Sequence, residues 1–212
     1  MMEKPAETKK PGAFVLFALW GLLRFYLIAR VRHLIRQNLT ITGPHAILLN
    51  HCLIVFEALC LFAVYAVFRK LHQIDRIELF GEARKAFGWG AFVGIGLFLF
   101  TVPVVIYFGM SYSPQFSAAD AVGNIFSNGA EELIYRGILF MAAMKLFSNQ
   151  KLAVVVSAAA FGLGHWDMPF LFQGYVMVVG MILGWSYIHT KGLAAPYVAH
   201  MTVDLLIDSL FH

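Results

Sequence analysis

The sequence predicts an all-α fold, a polytopic membrane helix bundle of six to seven transmembrane helices. Hydrophobic residues make up 60% of the 212 residues and charged residues only 13%, and the mean hydropathy of +0.73 is too apolar for an ordinary soluble domain. Several apolar runs approach the roughly 20 residues that a helix needs to cross a bilayer. Lys and Arg cluster at the ends of these runs, which suits lipid headgroups and membrane topology better than nucleic acid.

The N-terminal half contains apolar runs separated by charged segments. Residues 1–12 are polar and basic and are predicted to be disordered. Residues 13–110 are predicted to hold the N-terminal membrane helices, with an interfacial charged linker near 69–85. The apolar runs lie at 13–29, 46–68 and 86–110. In the third run Pro103 predicts a bend, and four glycines allow close helix contact: Gly88, Gly90, Gly94 and Gly96.

Residues 117–212 are predicted to form a helical core that belongs to the same single domain. Ala118 begins the helix that carries residues 131–147, and a polar turn follows it. A hairpin of two helices then surrounds residues 166–168, and its first arm is short enough to be a core helix shielded by its neighbours. The three remaining apolar runs lie at 152–165, 169–188 and 193–211.

The basic residues predict an orientation in the membrane. Residues 69–85, the turn flanked by Lys145 and Lys151, and the turn at Lys191 are predicted to be cytoplasmic. The connector 111–130 carries no Lys or Arg and is predicted to lie on the opposite side. The alternation is regular over the C-terminal half, whereas basic residues flank the run 13–29 on both sides.

Two adjacent acids and an arginine interrupt the apolar pattern of the helix at residues 131–147. Charges inside a membrane segment are costly and indicate a functional site. Glu132 and Arg136 are four residues apart and can neutralise one another, whereas Glu131 points to another face and stays available. This pattern predicts a free base beside a structural ion pair. The alternative is that both acids only lock the bundle together.

Two histidines follow at helical spacing from a second residue. His165 ends its helix after Phe161, and His200 shares a helix face with Asp204, whose carboxylate could fix the tautomer of the imidazole. Each pair by itself could equally be a packing contact. If Glu131 lies at the start of its helix and His165 at the end of its own, alternating helix directions bring these polar groups to one level of the membrane.

The three motifs resemble those of a known family. Glu131-Glu132-x-x-x-Arg136, Phe161-x-x-x-His165 and His200-x-x-x-Asp204 are similar, in order, to the motifs of the CPBP intramembrane proteases. That family includes the type II CAAX prenyl endopeptidases and the bacterial Abi-type proteins. The resemblance covers roughly residues 117–212. It implies that Glu131, helped by His165, activates a water to attack a peptide carbonyl, and that His200 and Asp204 stabilise the oxyanion.

Asp204 raises a chemical question about the oxyanion. An Asn at this position, which other family members carry, donates a hydrogen bond, whereas an ionised Asp only accepts one. Asp204 must therefore be protonated or must act by orienting His200. The resemblance implies no cofactor. Zinc is the alternative, because one or two carboxylates with two histidines can hold it and leave an open position for water, although the compact His-Glu-x-x-His signature is missing from this chain.

The N-terminal half offers a second, weaker pattern. Asn50-His51 faintly resembles a glycerolipid acyltransferase motif, but that chemistry needs an aspartate at position 56, where this chain has Phe56. Glu57 falls on another helix face. We expect Asn50, His51 and Glu57 to be polar contacts within the bundle or to line the path of the substrate. The two cysteines, Cys52 and Cys60, are expected to be buried small hydrophobic residues rather than a disulfide.

The sequence thus predicts an intramembrane endopeptidase with a membrane-anchored protein or peptide as substrate, the lipid bilayer as a partner and no nucleic acid. In eukaryotic relatives the resemblance implies a prenylated Cys-a-a-X tail, and in bacterial ones peptides, bacteriocin-type precursors or C-terminal sorting helices. The predicted orientation favours a C-terminal sorting or precursor segment of an exported protein and a bacterial inner membrane. The alternatives are a non-enzymatic scaffold or immunity protein, CAAX processing, and lipid acyl transfer.

Overall fold

The computed structural model describes residues 44–72, 80–166 and 168–212, and within these ranges the chain is helical with short connections. Its helices are α1 (Pro44–His72), α2 (Ala83–Tyr107), α3 (Ala118–Glu132), α4 (Phe140–Phe147), α5 (Gln150–Gly164), α6 (Phe170–Thr190) and α7 (Ala194–Leu210). A seven-residue π-helix, Leu133–Leu139, joins α3 to α4. The described ranges contain no strand, only an isolated antiparallel bridge between Tyr112 and Phe211. The all-α prediction is confirmed.

Two of the described helices are long and apolar enough to cross a membrane, α2 with 25 residues and α6 with 21. The predicted count of six to seven spans is not confirmed. Helices α5 and α7 have 15 and 17 residues, fewer than the roughly 20 that span a hydrocarbon core without tilt or thinning. The predicted disordered segment 1–12 and the apolar run 13–29 lie outside the described residues.

Helices α2 and α7 pack closely because two glycines lie at their contact. A Cβ atom on Gly90 would lie 2.7 Å from the carbonyl oxygen of Ala195, and one on Gly94 would lie 2.6 Å from Cβ of Thr202. The predicted role in close helix contact is therefore confirmed for these two positions. It is not confirmed for Gly88 and Gly96, which lie on the opposite side of the helix and have no described atom within 4 Å of their Cβ positions.

The buried apolar residues form two main clusters with the polar motif residues between them. The first cluster surrounds the π-helix and includes Leu133, Ile138 and Phe161, and the second joins α2, α6 and α7 through residues such as Leu97 and Leu183. Large apolar side chains on the outer faces of α2 and α6 are exposed, among them Phe92, Leu99, Phe170 and Leu171. An exposed apolar face of this extent suits contact with lipid.

Candidate active site

The acid pair lies in the middle of a long helical segment. Helix α3 begins after Ser117, whose hydroxyl accepts a hydrogen bond from the backbone N–H of Asp120 at 3.2 Å. This N-cap starts the helix more than three turns before Glu131. The expectation that Glu131 lies at the start of its helix is therefore wrong, whereas the predicted start at Ala118 is confirmed.

The π-helix follows the acid pair directly and holds Arg136. Such segments are rare and occur often at functional sites. Six of its residues are buried, and the carbonyl oxygen of Tyr135 accepts hydrogen bonds from the N–H of Phe140 and, at 2.7 Å, from the hydroxyl of Ser157 on α5. The π-helix is thereby bound to α5, the helix that ends at His165.

Glu132 and Arg136 form a fully buried ion pair. Arg136 Nη1 donates to Glu132 Oε1 at 2.9 Å, and the two side chains are 0% and 1% exposed. The guanidinium carbon also lies 4.2 Å from the ring centroid of Phe161. The carboxylate and the aromatic face both offset the cost of removing the Arg136 guanidinium from water. The ion pair expected from the spacing of these residues is present.

Glu132 also orients His200. Its Oε1 atom lies 2.8 Å from Nδ1 of His200, and because a carboxylate accepts, Nδ1 carries the proton. Nε2 of the same ring faces two other acids, with Glu131 Oε2 at 3.9 Å and Asp204 Oδ2 at 3.6 Å. Glu132, rather than the expected Asp204, therefore sets the tautomer. Residue spacing along α7 alone could not reveal a partner on a different helix.

His165 follows the last residue of α5, as expected. Its Nδ1 donates to the backbone carbonyl of Phe161 at 2.9 Å, which leaves Nε2 of the neutral ring as an acceptor. The ring of Phe161 meets both imidazoles edge-on, with centroid distances of 5.2 Å to His165 and 5.7 Å to His200. Phe161 thus forms an apolar wall between the two histidines.

Both histidines line a cavity of about 550 Å³ between α2, α6, α7 and the end of α5. Its polar side chains include His165, His200, Asp204 and Asp208, and most of its wall is apolar. In the described part of the chain no Lys or Arg lines it. Glu131 reaches the site from α3, with a side chain that is 16% exposed. The structure therefore brings Glu131, His165, His200 and Asp204 to one region, which the motifs predicted.

Asn128 and Asn124 belong to the site's surroundings and were not identified from the sequence. Asn128 Nδ2 donates to Asp204 Oδ2 at 2.9 Å, and Asn124 Nδ2 donates to Asp208 Oδ2 at 2.8 Å. A signal was present: Asn124, Asn128 and Glu132 recur every four residues on α3, as His200, Asp204 and Asp208 do on α7. Two polar stripes of equal spacing indicate a shared interface.

The described residues contain no group of three or more His, Cys, Asp and Glu side chains placed to hold a metal ion. The acids of the site face imidazole, guanidinium and amide groups instead. Glu132 Oε2 and Arg136 Nε are buried without a hydrogen-bond partner among the described residues. Ordered water is the usual partner of such atoms.

His51 on α1 contacts α3 rather than the cavity. Its Nε2 lies 3.2 Å from Asp120 Oδ1, and its ring lies on Gly123, where a Cβ atom would approach Cδ2 to 2.7 Å. His51 is therefore a polar contact within the bundle, as the first of the two expectations stated. The side chains of Asn50 and Glu57 lie outside the described residues.

The two cysteines are free. Cys60 is partly buried, but Cys52 is exposed, which contradicts the expectation that both are buried. The reason is local: His51 faces α3, and the next residue of a helix points roughly 100° away from its predecessor.

One comparison with known proteins finds a family that is similar to the segment holding these residues. The family model described as "Type II CAAX prenyl endopeptidase Rce1-like" matches residues 113–206, a segment that contains all three motifs. No curated protein and no solved structure matches the chain. The match supports a relationship of residues 113–206 to the CPBP/CAAX family, whose members are membrane-embedded proteases.

Proposed function

We propose that this protein is an intramembrane endopeptidase of the CPBP type in which Glu131 activates a water molecule to cleave a peptide bond. One observation carries the proposal: Glu131 and Asp204 both face Nε2 of His200, at 3.9 and 3.6 Å, while Glu132 holds Nδ1 of the same ring. A base, an oriented imidazole and a second acid thus converge at a cavity whose wall is mostly apolar. Polar groups that converge at a mostly apolar cavity are typical of active sites.

The proposed reaction assigns a task to Glu131, His165 and His200. Glu131 takes a proton from water, and the resulting hydroxide attacks the substrate carbonyl carbon. His165 accepts a hydrogen bond from the same water through Nε2, because its Nδ1 is bonded to the carbonyl of Phe161. In its protonated form His200 donates from Nε2 to the oxyanion. The C–N bond then breaks, and the proton held by Glu131 passes to the leaving amine.

The proposed substrate is a membrane-associated protein cut within its chain, such as a C-terminal sorting or precursor segment of an exported protein. The charge of the cavity supports this choice. A free C-terminal carboxylate, which a prenylated Cys-a-a-X tail presents near its scissile bond, would meet Asp204 and Asp208 without a Lys or Arg among the described lining residues. An internal peptide bond carries no such charge. The proposed location is a bacterial inner membrane, with no nucleic acid as partner.

A non-enzymatic scaffold or immunity protein is the second candidate. It is favoured by the structural use of Glu132 and Arg136, whose buried ion pair would be needed for folding without any catalysis. This candidate gives no role to Glu131, which is more exposed than Glu132 and lies outside that ion pair.

The test compares the wild-type protein with Glu131→Gln in liposomes. Gln keeps the shape of the side chain and removes the base, and Glu82→Gln, on an exposed acid before α2, is the matched control. The probes are a reporter with a C-terminal apolar helix, a farnesylated Cys-a-a-X peptide and an acyl donor with a lysophospholipid. We expect wild type and Glu82→Gln to cut the first probe, and Glu131→Gln to leave it intact.

Mass spectrometry of the products gives the cleaved bond. Cleavage by a folded Glu131→Gln protein at the wild-type rate would overturn the mechanism. Cleavage of the farnesylated peptide alone would overturn the substrate, and acyl transfer alone would replace the proposed class of enzyme. Binding of the reporter without turnover by wild type would favour the scaffold.

A further inference from the structure

Three polar contacts join α3 to α7, and we call them the polar ladder. They are Asn124–Asp208 at 2.8 Å, Asn128–Asp204 at 2.9 Å and Glu132–His200 at 2.8 Å. Successive contacts are four residues apart on both helices and run in opposite chain directions, as two antiparallel helices require. The α7 member of each contact lines the cavity. The ladder therefore connects the interface between α3 and α7 to the candidate active site.

The middle contact is the one that reaches the reacting groups. Asn128 is 2% exposed, and the Asp204 oxygen that it binds, Oδ2, is the atom that lies 3.6 Å from Nε2 of His200. Ser127 donates to Asn128 Oδ1 at 3.3 Å, which directs the NH₂ group of Asn128 towards Asp204. That NH₂ group also lies 3.6 Å from Sδ of Met201. The amide therefore has a defined orientation.

The hydrogen bond bears directly on the part that Asp204 would play in the reaction. An ionised carboxylate has no proton to offer an oxyanion, but it can fix an imidazole that has one. A carboxylate on a rotatable bond needs a donor to hold it in place. We propose that Asn128 is a positioning residue whose amide holds the Asp204 carboxylate beside Nε2 of His200. The inference rests on the proposed proteolytic function, since it assigns Asn128 a task in that reaction.

The test exchanges the two partners of the bond. Asn128→Ala removes the donor, and Asn128→Asp places a carboxylate against a carboxylate. The double variant N128D/D204N restores a hydrogen bond with donor and acceptor reversed. Asn124→Ala is the matched control, because Asn124 makes the same type of bond one turn away, to Asp208 instead of Asp204.

We expect Asn128→Ala to lower kcat roughly tenfold to a hundredfold with KM little changed, as for the loss of a hydrogen bond to a charged group that acts in the transition state. Asn128→Asp should lower kcat further. The kcat of N128D/D204N should be at least about tenfold higher than that of Asn128→Asp. Asn124→Ala should stay within about twofold of wild type. Kinetics are measured with the cleavable reporter on monodisperse protein, with thermal unfolding recorded for every variant.

Three results would overturn the inference. The first is a wild-type kcat for Asn128→Ala, and the second is no recovery in a folded N128D/D204N protein. The third is an equal loss of kcat in Asn124→Ala, which would make the effect general to the helix interface.

Absence of cleavage by the wild-type protein would instead refute the proposed function. In that case the contact itself can still be tested by thermal unfolding of Asn128→Ala, Asp204→Ala and the double variant. A change in unfolding temperature of the double variant that differs from the sum of the two single changes would support the contact. A change equal to that sum would refute it.

Discussion

The carboxylate of Glu132 lies 2.8 Å from Nδ1 of His200, so the second acid of the pair on α3 orients the imidazole on α7. The same oxygen accepts from Arg136 at 2.9 Å. The arginine therefore neutralises and fixes the carboxylate that in turn fixes the histidine. Residues of the first and third motifs form one buried network, and Phe161 of the second motif covers it with its ring.

The two acids should respond differently to the loss of their charge. Glu132→Gln leaves Arg136 buried without a counter-ion, so we expect it to lower the free energy of unfolding by about 3–5 kcal/mol and to abolish cleavage. Glu131→Gln should abolish cleavage with an unfolding temperature close to that of wild type. Thermal unfolding in detergent beside the cleavage assay measures both. Equal destabilisation by the two variants would contradict the division of roles.

Phe161 should matter through its aromatic ring. Phe161→Leu keeps an apolar side chain but removes the ring face that lies 4.2 Å from the Arg136 guanidinium carbon. We expect a loss of about 2 kcal/mol in unfolding free energy, because the cation–π contact is desolvated. Phe140→Leu is the matched control, since Phe140 is equally buried but packs on Tyr187 instead of a charge. A larger loss of unfolding free energy in Phe140→Leu would show that ring packing alone explains the effect of Phe161→Leu.

The glycines of α2 allow a paired test of helix packing. Gly94→Val places side-chain atoms where Cβ alone would lie 2.6 Å from Thr202, whereas no described atom lies within 4 Å of a Cβ at Gly96. Overpacking typically lowers the free energy of unfolding by about 1–3 kcal/mol. We therefore expect a loss of that size for Gly94→Val and almost none for Gly96→Val. Unfolding temperatures in one detergent compare the two. Comparable losses would place Gly96 at a contact that the structure does not show.

His51 should be dispensable for chemistry. Its contact with the half-exposed Asp120 is of a kind that contributes about 0–1 kcal/mol, so His51→Ala should reduce stability slightly and leave cleavage of the reporter intact. The cleavage assay and thermal unfolding measure these effects. The lipid acyltransferase function would instead be supported if the wild-type protein transferred acyl groups without cleaving the reporter, and if His51→Ala abolished that transfer.

The orientation prediction can be checked at two points that must agree. The backbone of Ser111 bonds to that of His212 in both directions, at 2.9 and 3.0 Å, so the connector after α2 and the C-terminus lie at the same end of the bundle. We expect Pro114→Cys and His212→Cys, in a protein with Cys52→Ser and Cys60→Ser, to react with an impermeant thiol reagent that is added on the extracytoplasmic side of the membrane. Reaction from the cytoplasm at both sites would refute the proposed exported substrate, and opposite results would contradict the structure.

The sequence predicted contacts within one helix better than contacts between helices. The pair of Glu132 and Arg136 followed from a spacing of four residues, and the start of α3 from the change in composition after the polar segment at 111–117. The bond from Glu132 to His200 did not follow, because it depends on how two helices cross. Neither did the π-helix, whose hydrogen bonds depend on side chains of α5 such as Ser157.

The glycines of α2 show the same limit. All four are equally suited to close packing by composition, but only Gly90 and Gly94 face α7, and the side of a helix that meets a neighbour is set by the neighbour. The residues of the candidate site were identified through the family's motifs, whereas Asn128, which no motif contains, required the structure.

The polar ladder also makes the alignment of α3 and α7 unique. Sliding α7 by one turn in one direction would set Glu132 against Asp204, two carboxylates in a buried position. Sliding it by one turn the other way would set Glu132 against Pro196, which has no proton to donate to it. After either shift one Asn of α3 would still lie opposite an Asp of α7, because the two Asn–Asp contacts repeat every four residues. The unlike third contact, Glu132 with His200, rejects both shifts, so the residues that are proposed to cleave the substrate also determine how the helices fit together.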